Sequence, residues 1–387
     1  MEFVFIPLDY DYFDFNGESF VRVWGRTNDG KRICVIDSCD ASFWVILKDG
    51  LNKKEIEKLA DEIQNIKSES AGRKVYIKNV ELHEKNFLGR PVKALKVSIS
   101  NHKDMQVVSE IVRESEGVEM RRETDIPFIT RYIIEKKVLP LQWHSVSGKL
   151  LDDAELGGID RVLNVDLAVR AGKIALAETN NSFTPKMMAF DIETDSLEIG
   201  KGSILMVSIV SNKLKKVLTW KKFPAGDYVE FCKDEAEMIE KFCDYVKNEK
   251  PDLLVGYFSD GFDMPYLRAR AEKHKVKMDI SLDGTQPVFA RGRVTSAKVA
   301  GIVHVDLFRF IETAYSQYLQ SETLGLNEVA LELLGEGKKS FEHKHSKDIS
   351  HDGWKSYFEY NLQDSVLTYK LAEKIWQDIS AFSGVIQ

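Results

Sequence analysis

The sequence predicts an α+β protein of two domains: a mixed α/β amino-terminal domain, then a second domain in which three strands precede a helix, a strand and further helices. Three observations predict it. A chain of 387 residues is enough for two domains at about 100–200 residues each. Residues 1–140 alternate short β-rich runs with turn signals. From Lys186 onward the strands come in succession and the helices lengthen.

In the first domain, residues 20–24 and 33–36 flank Asn28-Asp29-Gly30, which predicts a hairpin. Residues 43–47, 75–80 and 92–99 are further strands. Residues 53–66 place Ile56, Leu59, Ile63 and Ile66 at helical spacing. Residues 151–185, with Gly157-Gly158 and the polar Thr179-Asn180-Asn181-Ser182, are expected to connect a domain at 1–150 to one at 186–375, with 376–387 beginning an onward connection. In the second domain, 187–192, 204–210 and 216–220 predict an antiparallel meander. Residues 235–248 predict a helix carrying Met238, Ile239, Phe242, Tyr245 and Val246 on one face. Pro251 ends it, and 253–257 form another apolar strand, so the sheet is mixed. Helices at 264–274, 326–334 and 353–379, with a strand at 302–307, complete an order that matches a ribonuclease-H-like layer.

Composition narrows the function classes. With 43% hydrophobic and 30% charged residues and nine prolines, fibrous and disordered readings are excluded. Fifty-four basic against 61 acidic residues leave a net charge of −7, which argues against coating nucleic acid by bulk charge but not against an active site built from carboxylates. There is no apolar run of about 18 residues and no basic segment behind Met1, so a cytoplasmic protein is expected. Cys34, Cys39, Cys232 and Cys243 form no C-x-x-C pair and read as reduced thiols. His343, His345 and His351 lie in a Lys- and Asp-rich stretch without cysteine, which reads as a solvated loop rather than a zinc site.

Three segments carry chemistry. Asp191 and Glu193 are two apart in an otherwise apolar strand, so they share one face. Paired acids there hold protons unless a cation neutralises them, and hard divalent ions prefer such oxygen ligands. D-x-E alone also occurs on exposed strand edges. Asp263 follows a strand and a Ser/Asp/Gly turn, with Pro265 in the first turn of the next helix; its plain reading is an N-cap. Tyr360 and Asp364 are four apart on a late helix and address one point.

In this order, Asp191-x-Glu193, Phe262-Asp263 and Tyr360-x-x-x-Asp364 resemble the three exonuclease motifs of the DnaQ-like 3′-5′ exonucleases. The resemblance implies that Asp191, Glu193, Asp263 and Asp364 bind two divalent cations, Mg²⁺ or Mn²⁺, and that Tyr360 orients the attacking water. More closely, residues 190–194, 257–267, 302–307 and 360–364 look like the exonuclease domain of archaeal family B DNA polymerases. Asn86-Phe87-Leu88-Gly89-Arg90-Pro91 and Asp125-Ile126-Pro127-Phe128 with Arg131-Tyr132 are similar to that family's amino-terminal, template-binding domain. The resemblance implies a proofreading nuclease acting on single-stranded or frayed primer-template DNA near the nucleoid. Its polymerase region would lie in the same chain or in a separate subunit. The family's S-L-Y-P-S and D-T-D polymerase segments do not occur, so the chain is expected not to synthesise DNA alone, whether it is cut short or one part of a split polymerase.

The chain departs from the family at two places. Phe258 stands where Asn is common in the second exonuclease motif. Around the uracil-capturing pocket of archaeal relatives, Ala41, Ser42 and Ala94 replace the usual Pro, Tyr and Val, while Pro91, Pro127, Phe128 and Arg131 match. Candidate DNA contacts are Phe258, Phe262, Tyr266 and Phe308 for bases and Arg121, Arg122, Arg291, Arg293 and Lys298 for phosphates, with Pro127, Phe128 and Arg131 at the template. The plain reading of Pro127 and Phe128 is domain packing. The alternative to an enzyme is a template-binding scaffold whose nuclease centre has decayed through changes such as Phe258.

Overall fold

A computed structural model describes residues 1–385 apart from 71, 153–154, 180, 292–294 and 338–347. The chain forms two compact units: 1–161 with 165–179, and 162–164 with the remaining described residues.

Unit 1 contains strands β1 (Glu2–Phe15), β2 (Glu18–Thr27), β3 (Arg32–Ser38) and β4 (Ala41–Leu47), helix α1 (Lys53–Gln64), and a short ribbon of β5 (Glu69–Ser70) and β6 (Arg73–Lys74). There follow β7 (Ile77–Phe87), β8 (Arg90–Ile99), α2 (Met105–Arg113), β9 (Val118–Arg122), α3 (Phe128–Lys136), β10 (His144–Leu150) and β11 (Leu167–Leu176). The hairpin of β2 and β3 forms as its turn residues predict, with Gly30 at φ +84°. These strands belong to a closed barrel, β1-β10-β11-β3-β2. Strand β11 lies within the stretch expected to be a connection, yet it pairs antiparallel with β10 and parallel with β3. Its signal is faint because Val169 is its one buried residue. The second sheet, β7-β8-β4-β9, shares a core with α1 and α2 in which Phe43, Val45, Leu95 and Val97 meet Ile56, Leu59, Ile63 and Val108. Asn52 and Glu55 form the capping box that starts α1. The strand expected at 75–80 runs on to Phe87, polar because most of it is solvated.

Unit 2 contains β12 (Met187–Thr194), β13 (Ile204–Ser211), β14 (Lys215–Thr219), β15 (Val229–Phe231), α4 (Glu235–Glu249), β16 (Leu253–Gly256) and α5 (Asp263–His274). It continues with β17 (Val288–Arg291), β18 (Thr295–Lys298), β19 (Val303–Asp306), α6 (Leu307–Ala314), α7 (Leu326–Leu334) and α8 (Gly353–Val385). The sheet order is β15-β14-β13-β12-β16-β19, with β12, β13 and β14 antiparallel and β16 and β19 parallel additions. That is the meander and mixed sheet read from the sequence. All eight residues of β13 are buried, as expected of a strand covered on both faces.

Strand parity decides which side of β12 carries chemistry. Phe190 packs toward α4, its ring 5.6 Å from that of Phe242. Met187, on the opposite face, joins Leu253, Leu367 and Leu371 of β16 and α8. Asp191 and Glu193 follow the parity of Met187, so they meet α8. No described helix is long and apolar enough to cross a membrane. The four cysteines are buried and none is in a disulfide.

Candidate metal centre

Carboxylate oxygens of Asp191 and Glu193 on β12 and of Asp364 on α8 lie within 4.8 Å of one another. Helix α8 supplies more than Asp364. Asn361, three residues earlier, donates from Nδ2 to Asp191 Oδ2 at 2.8 Å, and Tyr357, seven earlier, donates from Oη to Glu193 Oε2 at 2.9 Å. Residues at i, i+4 and i+7 share a helix face, so one stripe of α8 addresses both strand acids. Both donors are neutral, so they orient the carboxylates without cancelling their charge. Burial, and then the neighbouring Glu193, hold the Tyr357 hydroxyl well above its ordinary range, so it remains a proton donor. The stripe is fixed by Ser208 of β13, whose Oγ donates to the Asn361 carbonyl at 2.8 Å and meets Ser365 Oγ at 2.7 Å.

Asp263 does not cap α5. Phe262 occupies the N-cap position and makes no side-chain cap, while Asp263, 4% exposed, accepts from Ile192 N at 3.1 Å. Ile192 is the residue between the two strand acids, so this bond clips the start of α5 onto β12. Burial pushes the Asp263 carboxyl up to about 7; the Ile192 N–H opposes the rise, and the charges of Asp306 and Asp364 add to it. Asp263 therefore adjoins the trio and feels Asp364 without belonging to the 4.8 Å group.

The turn before α5 is built around a second acid. Asp306 Oδ1 accepts from Phe258 N at 2.8 Å and Oδ2 from Asp260 N at 3.0 Å; Asp306 also caps α6 through Phe308 N. Asp260 accepts from Ala297 N at 2.7 Å and lies 3.3 Å from His304 Nδ1. The turn is tight: a Cβ on Gly256 would stand 2.3 Å from the Ser259 side chain. Phe258 adopts φ +61°, and its side chain is 49% exposed.

The remaining expected residues separate into those near the trio and those used in packing. Tyr360 is 7% exposed and packs with Trp354, Tyr357 and Phe358. Tyr266, expected at unpaired bases, is fully buried beside Phe262, because its helical position turns it inward. In unit 1, Phe128 is buried and stacks on His102 at 4.9 Å. Arg131 is also buried and bonds Glu123 at 3.2 Å. Pro127 precedes α3 and its carbonyl accepts from Arg131 N. Arg121 bonds Ser109 and Glu110, and Arg122 lies over the Phe87 ring. Arg293, His343 and His345 lie outside the described residues. Sequence reasoning missed Tyr357 and Asn361 as partners of the acids. Their spacing before Asp364 carries the signal, but only packing of α8 on β12 gives it meaning.

Residues 119–329 match the family model for DNA polymerase family B, exonuclease domain, which is more than half of the chain. The chain belongs to this family. The match stops before α8, but curated relatives extend the likeness over nearly all of the chain. The DNA polymerase of Pyrococcus glycovorans is 29% identical over 375 residues, which are 95% of this chain and 42% of that protein. The DNA polymerase of Thermococcus kodakarensis is 29% identical over 377 residues, 95% of this chain and 19% of that protein. The chain thus spans less than half the length of these polymerases. Its fold is similar to the structure of the family B DNA polymerase from the hyperthermophilic archaeon Pyrobaculum calidifontis, with TM-score 0.73 and 24% identity, covering 98% of this chain and 46% of that one. The α+β exonuclease-domain architecture of family B is thereby established for this chain.

Proposed function

We propose that the chain is a divalent-metal-dependent 3′-5′ exodeoxyribonuclease, the proofreading portion of a family B DNA polymerase, acting on single-stranded or frayed 3′ ends. The observation that carries it is the convergence of Asp191, Glu193 and Asp364 within 4.8 Å. An all-oxygen donor set of this kind fits Mg²⁺ or Mn²⁺. Asp191, Glu193, Asp364 and Asp263 would hold two ions, which when bound supply Lewis-acid stabilisation to the phosphodiester and acidify water. Tyr357 and Asn361 keep the strand acids aimed, so the carboxylates need not reorganise when substrate arrives. Asp263 fixes the start of α5 against β12. Tyr360 sits on the same helix, one turn from Asp364, as the water-orienting hydroxyl. A polymerase region, in the same chain or a separate subunit, completes the enzyme, and this chain alone does not extend primers.

The test is degradation of 3′-mismatched and matched primer-templates and of single strands, with Mg²⁺, Mn²⁺ or EDTA. A metal-requiring ladder growing from the 3′ end, faster on single-stranded and mismatched ends, is expected. Intact substrate under every metal condition overturns the proposal, and calorimetry with Mn²⁺ then reports whether a metal site remains in a scaffold.

A further inference from the structure

We propose that Phe258 is a stacking platform for the unpaired terminal nucleobase, forming one wall of a groove lined by the turn and helix that carry Asp263; this rests on the exonuclease reading above and names how its substrate strand is held. The first observation is strain without burial. A bulky side chain at φ +61° is in a left-handed conformation that disfavours it. At 49% exposure the ring gains little from the core in return. Strain that the surrounding structure maintains is a pointer to a functional position.

The second observation is how the strain is maintained. The Asp306 carboxylate, itself buried, accepts from the backbone of both Phe258 and Asp260. The Phe308 ring stands almost perpendicular to that of Phe258, with centroids 5.4 Å apart and planes at 84°. Gly261 lies so close to the ring that a Cβ there would come within 2.5 Å of it. The ring is therefore held by its backbone and by two neighbours.

The third observation is what the ring lines. A groove of about 650 Å³ runs past Phe258, Gly261, Pro265, Arg268, Phe289 and Arg309. Arg268 lies over the Phe289 ring at 4.9 Å, giving a second flat surface with a cation upon it. Gly261 and Pro265 stand two residues before and after Asp263 in the chain, so the groove is lined by the same strand-to-helix segment that carries the acid. Asp260 and Glu272 also line the groove, Arg268 Nε donating to Glu272 at 2.8 Å and Arg309 lying 3.6 Å from Asp260, so what suits a single-stranded nucleic acid here is the exposed aromatic surface, on which bases stack irrespective of sequence.

The test uses the full 387-residue chain and a single-stranded oligonucleotide with 2-aminopurine at its 3′ terminus, with Ca²⁺ replacing the catalytic ion. Binding is expected to quench the fluorescence. Phe258→Gly should abolish the quenching and weaken binding about tenfold, the usual scale for losing one stacked base, while raising the thermal midpoint because glycine accepts the backbone angle. Phe258→Trp should retain both quenching and affinity, and an abasic 3′ nucleotide should cost the unsubstituted protein the same factor. Quenching unchanged in Phe258→Gly overturns the proposal. If quenching behaves as expected but no Mn²⁺ binds and no DNA is degraded, the exonuclease reading fails while the platform stands.

Discussion

Two groups of acids in unit 2 solve the same electrostatic problem differently. Glu235, 5% exposed, receives Arg270 Nε at 2.7 Å and Nη2 at 2.5 Å, lies 2.9 Å from His274 Nε2, and accepts from Ile204 N at 2.8 Å. Burial pushes its carboxyl up, but Arg270, the Ile204 N–H and His274 pull harder, and the group ends below its ordinary range. At Asp191 and Glu193 the donors are an amide and a phenol, and the adjoining Asp263 is pushed up to about 7. The same fold thus places a guanidinium on an acid that joins α4 to α5, and neutral groups on acids that converge. An acid that ties α4 to α5 is neutralised by a guanidinium, whereas the acids proposed to hold a cation are oriented by an amide and a phenol.

Breaking the converging centre should give the largest effect. Asp191→Ala with Glu193→Ala is expected to lower metal-dependent degradation of single-stranded DNA by roughly 10³-fold or more, since metal stabilisation of the transition state amounts to several kcal/mol. The thermal midpoint in EDTA should hold or rise, because like charges are removed. A gel assay and a thermal melt read the two outcomes, and retained degradation removes the comparison's premise.

Breaking the neutralised centre should do the reverse. Glu235→Ala leaves Arg270 buried at 3% exposure without its carboxylate, which should cost about 3–5 kcal/mol in urea unfolding. Activity per folded molecule should remain within a few-fold. Collapse of activity with stability unchanged would mean that Glu235 serves the chemistry after all.

A finer distinction comes from the aiming groups. Tyr357→Phe removes one hydrogen bond to a carboxylate, about 1.5–3 kcal/mol, so kcat should fall by roughly 10- to 150-fold with KM for DNA unchanged. Should KM alone change, the hydroxyl contacts the strand rather than aiming Glu193.

The smallest effects are in pH dependence, and the two centres should titrate with opposite sign. The folded carboxyl of Glu235 lies below its ordinary value of 4.5, so its stabilisation is present above that pH and lost as pH falls through the folded value. The folded carboxyl of Asp263 is raised from 3.8 to about 7, so in metal-free protein its contribution is fully present below 3.8 and lost as pH rises through 7. Denaturant midpoints measured across this range should flatten on the acid side in Glu235→Gln and on the neutral side in Asp263→Asn.

The meander, the crossover helix and the late long helix were legible because their apolar residues recur at two or 3.6 residues, a signal local to each segment. Asp191, Glu193 and Asp364 were legible for the opposite reason, as acids interrupting those apolar patterns. Strand β11 was not, because a barrel-closing strand with a single buried residue leaves little pattern. The N-cap reading of Asp263 failed because local spacing cannot reveal that Ile192 N, far away in the chain, offers the better hydrogen bond.

By itself, then, the sequence determined which elements form and which residue types are available for metal chemistry, since propensity and periodicity act over a few residues. Tertiary structure decided the assignments within them. It chose Tyr357 and Asn361 to hold the strand acids, buried Tyr266, and turned Phe258 outward. Those outcomes depend on which surfaces meet when α8 packs on β12 and when Asp306 closes on the turn, and hydrogen bonds between residues distant in sequence exist only once that packing has occurred.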